Sequence, residues 1–309
     1  MKGNRDIVVI AGSTGFLGGM LSLFLTQHGY RVIGLSRRAQ AYQGDREAGW
    51  QIHSWNPHKL DGWERVLSQA DAVINLAGEN ISALRWTRKK RERILQSRLQ
   101  STKILVQALS QIKHTPELFV QVSGIHYYGC RGDNIIGENE PGGAGFLASV
   151  AQRNEALTEA IDPMGIRRVV LRLGMVLSVQ GGALPKLVLP FKWFVGGRMG
   201  DGRQWMAWVH AIDFCRAMAF IIAEDKLSGP VNLVSPQSIQ NREMSKTVAE
   251  ILKRPAIFPL PGWLIKILMG EMGQELLLCS QRALPDKLTQ SGFDFKYPDF
   301  VATLRQLMD

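Results

Sequence analysis

A chain of 309 residues, 45% hydrophobic and 21% charged, can bury a full core and still carry a second, smaller lobe, so one or two domains are expected. Its three cysteines, Cys130, Cys215 and Cys279, are odd in number and far apart, which argues against a disulfide framework and a paired-cysteine zinc site; a reducing cytoplasm is expected. The net charge of +10 would attract any anion, whereas no segment reaches the roughly 18 apolar residues of a spanning helix, and the apolar run after the polar segment Met1 to Arg5 is too short for a signal peptide.

The first half alternates short β-branched runs with helical stretches, the pattern of a parallel sheet covered on both faces. Strands are expected at Ile7 to Ala11, Arg31 to Ser36, Gln51 to Ser54, Ala72 to Leu76, Phe119 to Ser123 and Arg167 to Leu173. Phe16, Met20, Leu21, Phe24 and Leu25 lie at helical spacing, so Phe16 to His28 reads as a helix stopped by Gly29. Thr87 to Ile112 reads as a long helix with an apolar face that includes Ile94, Leu105 and Leu109. Beyond Leu173, glycines and prolines predict a loop-rich excursion, followed by a helix at about His210 to Ala223 and a strand at about Val231 to Val234 that return to the sheet. Helices near Asn241 to Leu252, Gly262 to Gly270 and Pro298 to Leu307 complete a C-terminal unit. The expectation is an α/β fold: a Rossmann-like, doubly wound parallel sheet over 1–180, joined by 210–235, with a smaller, mostly helical substrate lobe from 181–209 and 236–309.

Gly12-Ser13-Thr14-Gly15-Phe16-Leu17-Gly18 follows the first strand and opens the first helix, the setting in which glycine spacing carries information. Gly12 allows a tight turn, Gly15 lets the backbone approach a pyrophosphate, and Gly18 permits close helix packing, while the helix N-terminus offers amide donors. An ordinary glycine-rich turn is the bland alternative. About twenty residues on, where NAD enzymes place a carboxylate for the ribose hydroxyl, the second strand ends in Ser36-Arg37-Arg38. Guanidinium groups can grip a 2′-phosphate bidentately, so the tip favours NADP(H) over NAD, against the alternative of a solvated basic turn.

The three-residue glycine spacing, together with Asn75-Leu76-Ala77-Gly78 at the end of the fourth strand, resembles the short-chain dehydrogenase/reductase superfamily. Further segments resemble one atypical extended group within it, the epimerase-family proteins that carry a C-terminal domain of unknown function. These segments are Arg85-Trp86-Thr87 with Ser97-Arg98, Ser123 to Gly129, Gly200 to Gln204, Trp208 to His210 with Asp213, Gly229 to Asn232 and Gln281 to Pro285. The resemblance implies a substrate cleft between a Rossmann core and a small C-terminal lobe, and hydride transfer at a nicotinamide. Ser123 matches the serine that hydrogen-bonds the substrate oxygen in related enzymes.

Those enzymes also use a Tyr-x-x-x-Lys pair to move the proton, and the corresponding segment here reads Phe146-Leu147-Ala148-Ser149-Val150, which cannot do so. Tyr127 and Tyr128 offer substitute phenols, or else pack beneath the cofactor. By resemblance, Glu79, Arg203, Gln204, His210 and Asp213 are substrate-pocket candidates; for the last two, a satisfied buried histidine and a helix cap are equally good readings. The histidines show no metal-ligand spacing, so no metal is expected. The basic run Arg88 to Arg91 lacks aromatic interleaving, and neither nucleic acid nor membrane is expected as a partner. The expected partner is a small-molecule substrate, and the net charge of +10 suits an anionic one. The sequence thus points to an NADP(H)-binding oxidoreductase or epimerase, with a non-catalytic NADP(H)-binding regulatory or interaction protein as the alternative.

Overall fold

The computed structural model describes residues 6–39, 49–82 and 85–308; the segment Met1 to Arg5 lies outside the described residues. Five strands form in the first part of the chain: β1 (Ile7–Ala11), β2 (Arg31–Ser36), β3 (Gln51–Ser54), β4 (Ala72–Asn75) and β5 (Leu118–Gly124). Among these, β1 and β4 are almost wholly buried, as a strand covered on both faces must be. After the short β6 (Ile135–Ile136), β7 (Arg167–Leu173) joins the same sheet; β8 (Met175–Leu177), β9 (Trp205–Met206) and β10 (Trp208–His210) do not. Strand β11 (Gly229–Leu233) pairs with β7 and completes a seven-stranded sheet in the order β11-β7-β5-β4-β1-β2-β3, with every pairing parallel.

Helices cover both faces. Helix α1 (Phe16–Gln27) packs Leu21 and Leu25 on one side, and Gly29, at φ 87°, ends it as expected. Helix α2 (Arg88–Leu109) packs Ile104, Leu105 and Ala108 on the other side, with Thr87 as its N-cap accepting from the Lys90 amide at 3.1 Å. Helix α3 (Phe146–Leu157) lies beside α2.

The stretch expected to be loop-rich contains a helix, α4 (Leu184–Lys192). Its two prolines hid it: Pro185 sits in the first turn, where a missing amide costs nothing, but Pro190 lies inside. Helix α5 (Ala211–Ala223) packs on α1, and α6 (Asn241–Leu252) packs on α4. The two-residue strand β12 (Ile239–Gln240) pairs antiparallel with β9. The C-terminal unit holds α7 (Gly262–Gly273), interrupted at Gly270 with φ 58°, then β13 (Arg282–Ala283), α8 (Asp286–Gln290) and α9 (Phe300–Met308). Strand β13 pairs with β6, which brings this unit onto the loop that follows β5.

That pairing also overturns the expectation for the cysteines. Cys130 and Cys279 are joined in a disulfide across 149 residues of sequence, while Cys215 is free and buried. Sequence spacing concealed the pair because the two segments meet only in the fold, through the β6–β13 pairing and the hydrogen bonds of Ser280 and Gln281 to the Gly129–Gly132 segment.

Candidate cofactor and active site

Strands β2 and β3 extend the sheet to one side of β1, and β4, β5 and β7 extend it to the other, so the direction of winding reverses between β1 and β4. In open parallel sheets the crevice beyond the carboxyl ends at such a reversal is the ligand site. The sequence candidates converge there. Gly12 has φ 84°, and a β-carbon on it would lie 3.0 Å from the Ala77 nitrogen and the Leu76 carbonyl carbon, so the glycine loop runs directly against the turn after β4. The Thr14 and Ser36 hydroxyls lie 3.0 Å apart, and the Arg38 amide donates to Ser36 Oγ at 3.1 Å. The side chains of Arg37 and Arg38 are exposed at the tip of β2.

Asn75 shapes the turn from below. Its buried Nδ2 donates to Gln121 Oε1 at 2.9 Å and Thr102 Oγ1 at 3.1 Å, and its Oδ1 accepts the Ala77 amide at 3.1 Å. A side chain that could not both donate and accept would leave part of this buried set unpaired. Beyond Gly78, Glu79 meets Lys90 Nζ at 2.7 Å, a hydrogen bond that holds its carboxyl below the usual range. The Arg98 guanidinium packs against Gly78 and donates Nη1 to the Glu79 carbonyl at 3.0 Å. Burial lowers Arg98 to about 10; burial, and secondarily the Arg98 charge, lowers His126 to about 4, so His126 is neutral at pH 7.

At the end of β5, Ser123 Oγ donates to Glu155 Oε1 at 2.6 Å. Glu155, on α3, is buried and forms an ion pair with Arg172 of β7 at 2.9 Å. The Arg172 guanidinium stacks 3.4 Å from the centroid of the Tyr127 ring and donates to Tyr128 Oη at 2.8 Å. Tyr128 Oη in turn donates to Asn232 Oδ1 at 2.9 Å. Burial pushes the Tyr128 phenol up to about 12, and its hydroxyl bridges Arg172 and Asn232; Tyr127 is the less enclosed ring. Sequence reading named Ser123 but missed Glu155 and Arg172. The available signal was Arg172 itself, a charge inside the apolar strand Val169 to Leu173.

The expected Tyr-x-x-x-Lys segment does open a helix. Phe146 begins α3, its ring meeting Trp86 edge-on and lying 4.6 Å from the Arg91 guanidinium carbon, and Val150 is buried. Glu275 caps this helix from the C-terminal unit, accepting the Phe146 and Leu147 amides at 2.5 and 2.8 Å.

Of the remaining pocket candidates, Gln204, His210 and Asp213 bond within the fold. Gln204 is buried and donates to the carbonyls of Met199 and Leu277, while Arg203 is exposed beside Asp201. His210, not Asp213, caps α5: its Nδ1 accepts the Ile212 amide at 3.0 Å, and its ring lies against Tyr297. Asp213 accepts the Lys296 and Tyr297 amides at 3.0 and 2.8 Å and pairs with Arg216, fastening the C-terminal segment to α5. Among the described residues no cluster of histidine, cysteine or carboxylate side chains could hold a metal, and no helix is long and apolar enough to cross a membrane.

Comparison with known proteins decides the family. Residues 8–234 match the NAD dependent epimerase/dehydratase family, and residues 260–307 match a domain of unknown function, DUF1731. The chain belongs to the NAD dependent epimerase/dehydratase family. It is 34% identical to the epimerase family protein YfhF of Bacillus subtilis, covering 97% of each chain, and 30% identical to the human epimerase family protein SDR39U1, covering 97% of this chain and 99% of that one. The crystal structure of human SDR39U1 with NADPH superposes with a TM-score of 0.83 at 28% identity, over 98% of this chain and 99% of that one. A UDP-glucuronic acid 4-epimerase from Bacillus cereus shares the fold, with a TM-score of 0.77, at 17% identity. The expected Rossmann-like fold and the resemblance to the epimerase-family proteins with a C-terminal domain of unknown function are both borne out.

Proposed function

We propose that this protein binds NADP(H) in the crevice at the β1–β4 reversal and acts as an oxidoreductase or epimerase on a small molecule. The observation that carries this reading is the junction of the Gly12–Gly18 loop, the Asn75–Gly78 turn and the Arg37–Arg38 tip around one crevice, in a chain similar to an NADPH-bound human relative. The α1 amides and Gly15 would take the pyrophosphate, and Arg37 and Arg38 the 2′-phosphate. The cofactor supplies hydride exchange at its nicotinamide. Ser123 would face the substrate oxygen; with its own proton directed to Glu155, it is set to accept a hydrogen bond from a substrate hydroxyl and relay the proton to that carboxylate. Tyr127 is the remaining phenol within this neighbourhood.

A cytoplasmic setting belongs to the same reading, with the Cys130–Cys279 bond as the oxidised state of a reducible pair. The second reading, a non-catalytic NADP(H)-binding protein, is favoured by Phe146 and Val150 standing at the helix start where a proton-transfer pair would be expected.

Titration with NADPH and NADH, followed by nicotinamide fluorescence, tests the cofactor assignment. Selective NADPH binding that Arg37→Ala/Arg38→Ala weakens by about tenfold or more is the expected result, since each charge-assisted phosphate contact is worth ~1–3 kcal/mol. Binding of neither dinucleotide overturns the proposal. Turnover in a substrate screen that Ser123→Ala abolishes separates the catalytic from the non-catalytic reading.

A further inference from the structure

A second surface, built by α4, α6 and the chain after α6, combines cations with exposed apolar side chains. Trp193, Phe194 and Val195 follow α4 with relative exposures of 72%, 49% and 58%, and Ile257 and Phe258 follow α6 at 69% and 54%. These two segments are adjacent: the Phe258 amide donates to the Gly196 carbonyl at 3.3 Å, and the Arg254 guanidinium carbon lies 4.2 Å from the centroid of the Phe194 ring. Beside them opens a cavity of ≈ 660 Å³ lined by Arg198, Arg242, Lys246, Lys253 and Arg254, with Glu250 as its one carboxylate and Ile257 in its wall. Ion pairing of Glu250 with Lys246, at 3.7 Å, still leaves the basin strongly cationic.

We propose that this face docks peripherally on an anionic phospholipid bilayer, with the basin over the headgroups and Trp193, Phe194, Ile257 and Phe258 entering the interface. Basic residues beside a bilayer are drawn to its anionic headgroups, aromatic rings favour the interfacial layer, and apolar side chains gain by burial below it. A nucleic-acid strand would use the cations and the ring faces but would gain nothing from Val195 and Ile257, so the lipid surface is the partner that uses the whole face. Docking of this kind needs no spanning helix, and it departs from the sequence expectation of no membrane partner because the two segments and α6 meet only in the fold.

The test is co-sedimentation of the full chain with vesicles of equimolar phosphatidylglycerol and phosphatidylcholine, against phosphatidylcholine alone. Binding is expected only to the anionic vesicles and is expected to weaken at high salt. Lys246→Glu/Lys253→Glu and Trp193→Ser/Ile257→Ser should each lower vesicle affinity on the order of tenfold or more, with an unchanged melting temperature showing that the variants fold. As a measurement needing no disruptive variant, brominated lipid should quench tryptophan fluorescence of the natural chain more strongly than that of Trp193→Phe. Absence of vesicle binding, equal binding to both vesicle types, indifference to both variant pairs, tighter binding to a polyuridylate strand than to vesicles, or self-association broken by the Trp193→Ser pair in place of vesicle binding would each overturn the proposal.

Discussion

Ser123 and Arg172 hold the same carboxylate, Glu155, from two sides, the hydroxyl at 2.6 Å and the guanidinium at 2.9 Å. The three come from β5, β7 and α3, so a buried charge pair fixes the position of the candidate substrate-facing serine. Removing one partner of a buried ion pair leaves the other charge without compensation. Arg172→Met and Glu155→Leu should therefore each lower unfolding free energy by ~3–5 kcal/mol, and the double variant should recover part of the loss. Urea denaturation of the singles and the double measures the coupling. Single variants within 1 kcal/mol of the natural chain would show that water already screens the pair.

The disulfide gives a prediction in two readouts. Thiol titration of the denatured, unreduced protein should find one free thiol, Cys215, and three after reduction. Because the bond closes a loop across a separation of 149 residues, chain entropy sets an upper limit of about 5 kcal/mol on its contribution. The loss on Cys130→Ser/Cys279→Ser should be smaller, since the β6–β13 pairing and the Gln281 amide bonds to the Ile125 and Gly129 carbonyls persist. A melting temperature unaffected by reductant would mean that these contacts alone hold the C-terminal unit in place.

His126 follows Ser123 by three residues, and burial lowers it to about 4. A depressed histidine pKa means that the unfolded chain binds the proton more readily, so its contribution to stability is complete above about 6.5 and declines as pH falls from there towards 4. The His126 ring resonance in a proton NMR titration should stay at its neutral position down to about pH 5. Titration near 6.5 would place the ring in water and separate it from Arg98.

The parts of the site that were legible in sequence are those carried by neighbouring residues. The Gly12–Gly18 loop, the Ser36–Arg38 tip and the Asn75–Gly78 turn each lie within a few residues of a strand end, and periodicity located those ends to within a residue or two. Glu155 with Arg172, Glu275 with the start of α3, and Cys130 with Cys279 are contacts between distant segments, which no local pattern encodes. His210 and Asp213 show the converse. Their spacing of three is visible in sequence, but whether they face a pocket or bind Tyr297 and its neighbours depends on where the C-terminal segment returns. Helix α4 was missed because Pro190 reads as a breaker, although the helix needs only two turns to seat Leu184, Val188 and Phe191 against α6 and Trp208.

Two glycines with nearly equal backbone angles separate local strain from cofactor access. Gly29 has φ 87° and a β-carbon on it would meet open space, whereas Gly12, at φ 84°, would place a β-carbon 3.0 Å from the Leu76–Ala77 backbone. Both alanine variants carry the strain of a left-handed residue, about 1 kcal/mol or somewhat more. Only Gly12→Ala also pushes the glycine loop away from the turn after β4, and neither contact atom there is a flexible side chain. Gly12→Ala should therefore lose NADPH affinity by more than tenfold, while Gly29→Ala lowers the melting temperature and leaves that affinity unchanged. Parallel dinucleotide titrations and thermal melts of the two variants distinguish these effects. Equal NADPH affinities would place the dinucleotide away from the β1–α1 loop and would sink the cofactor assignment with it.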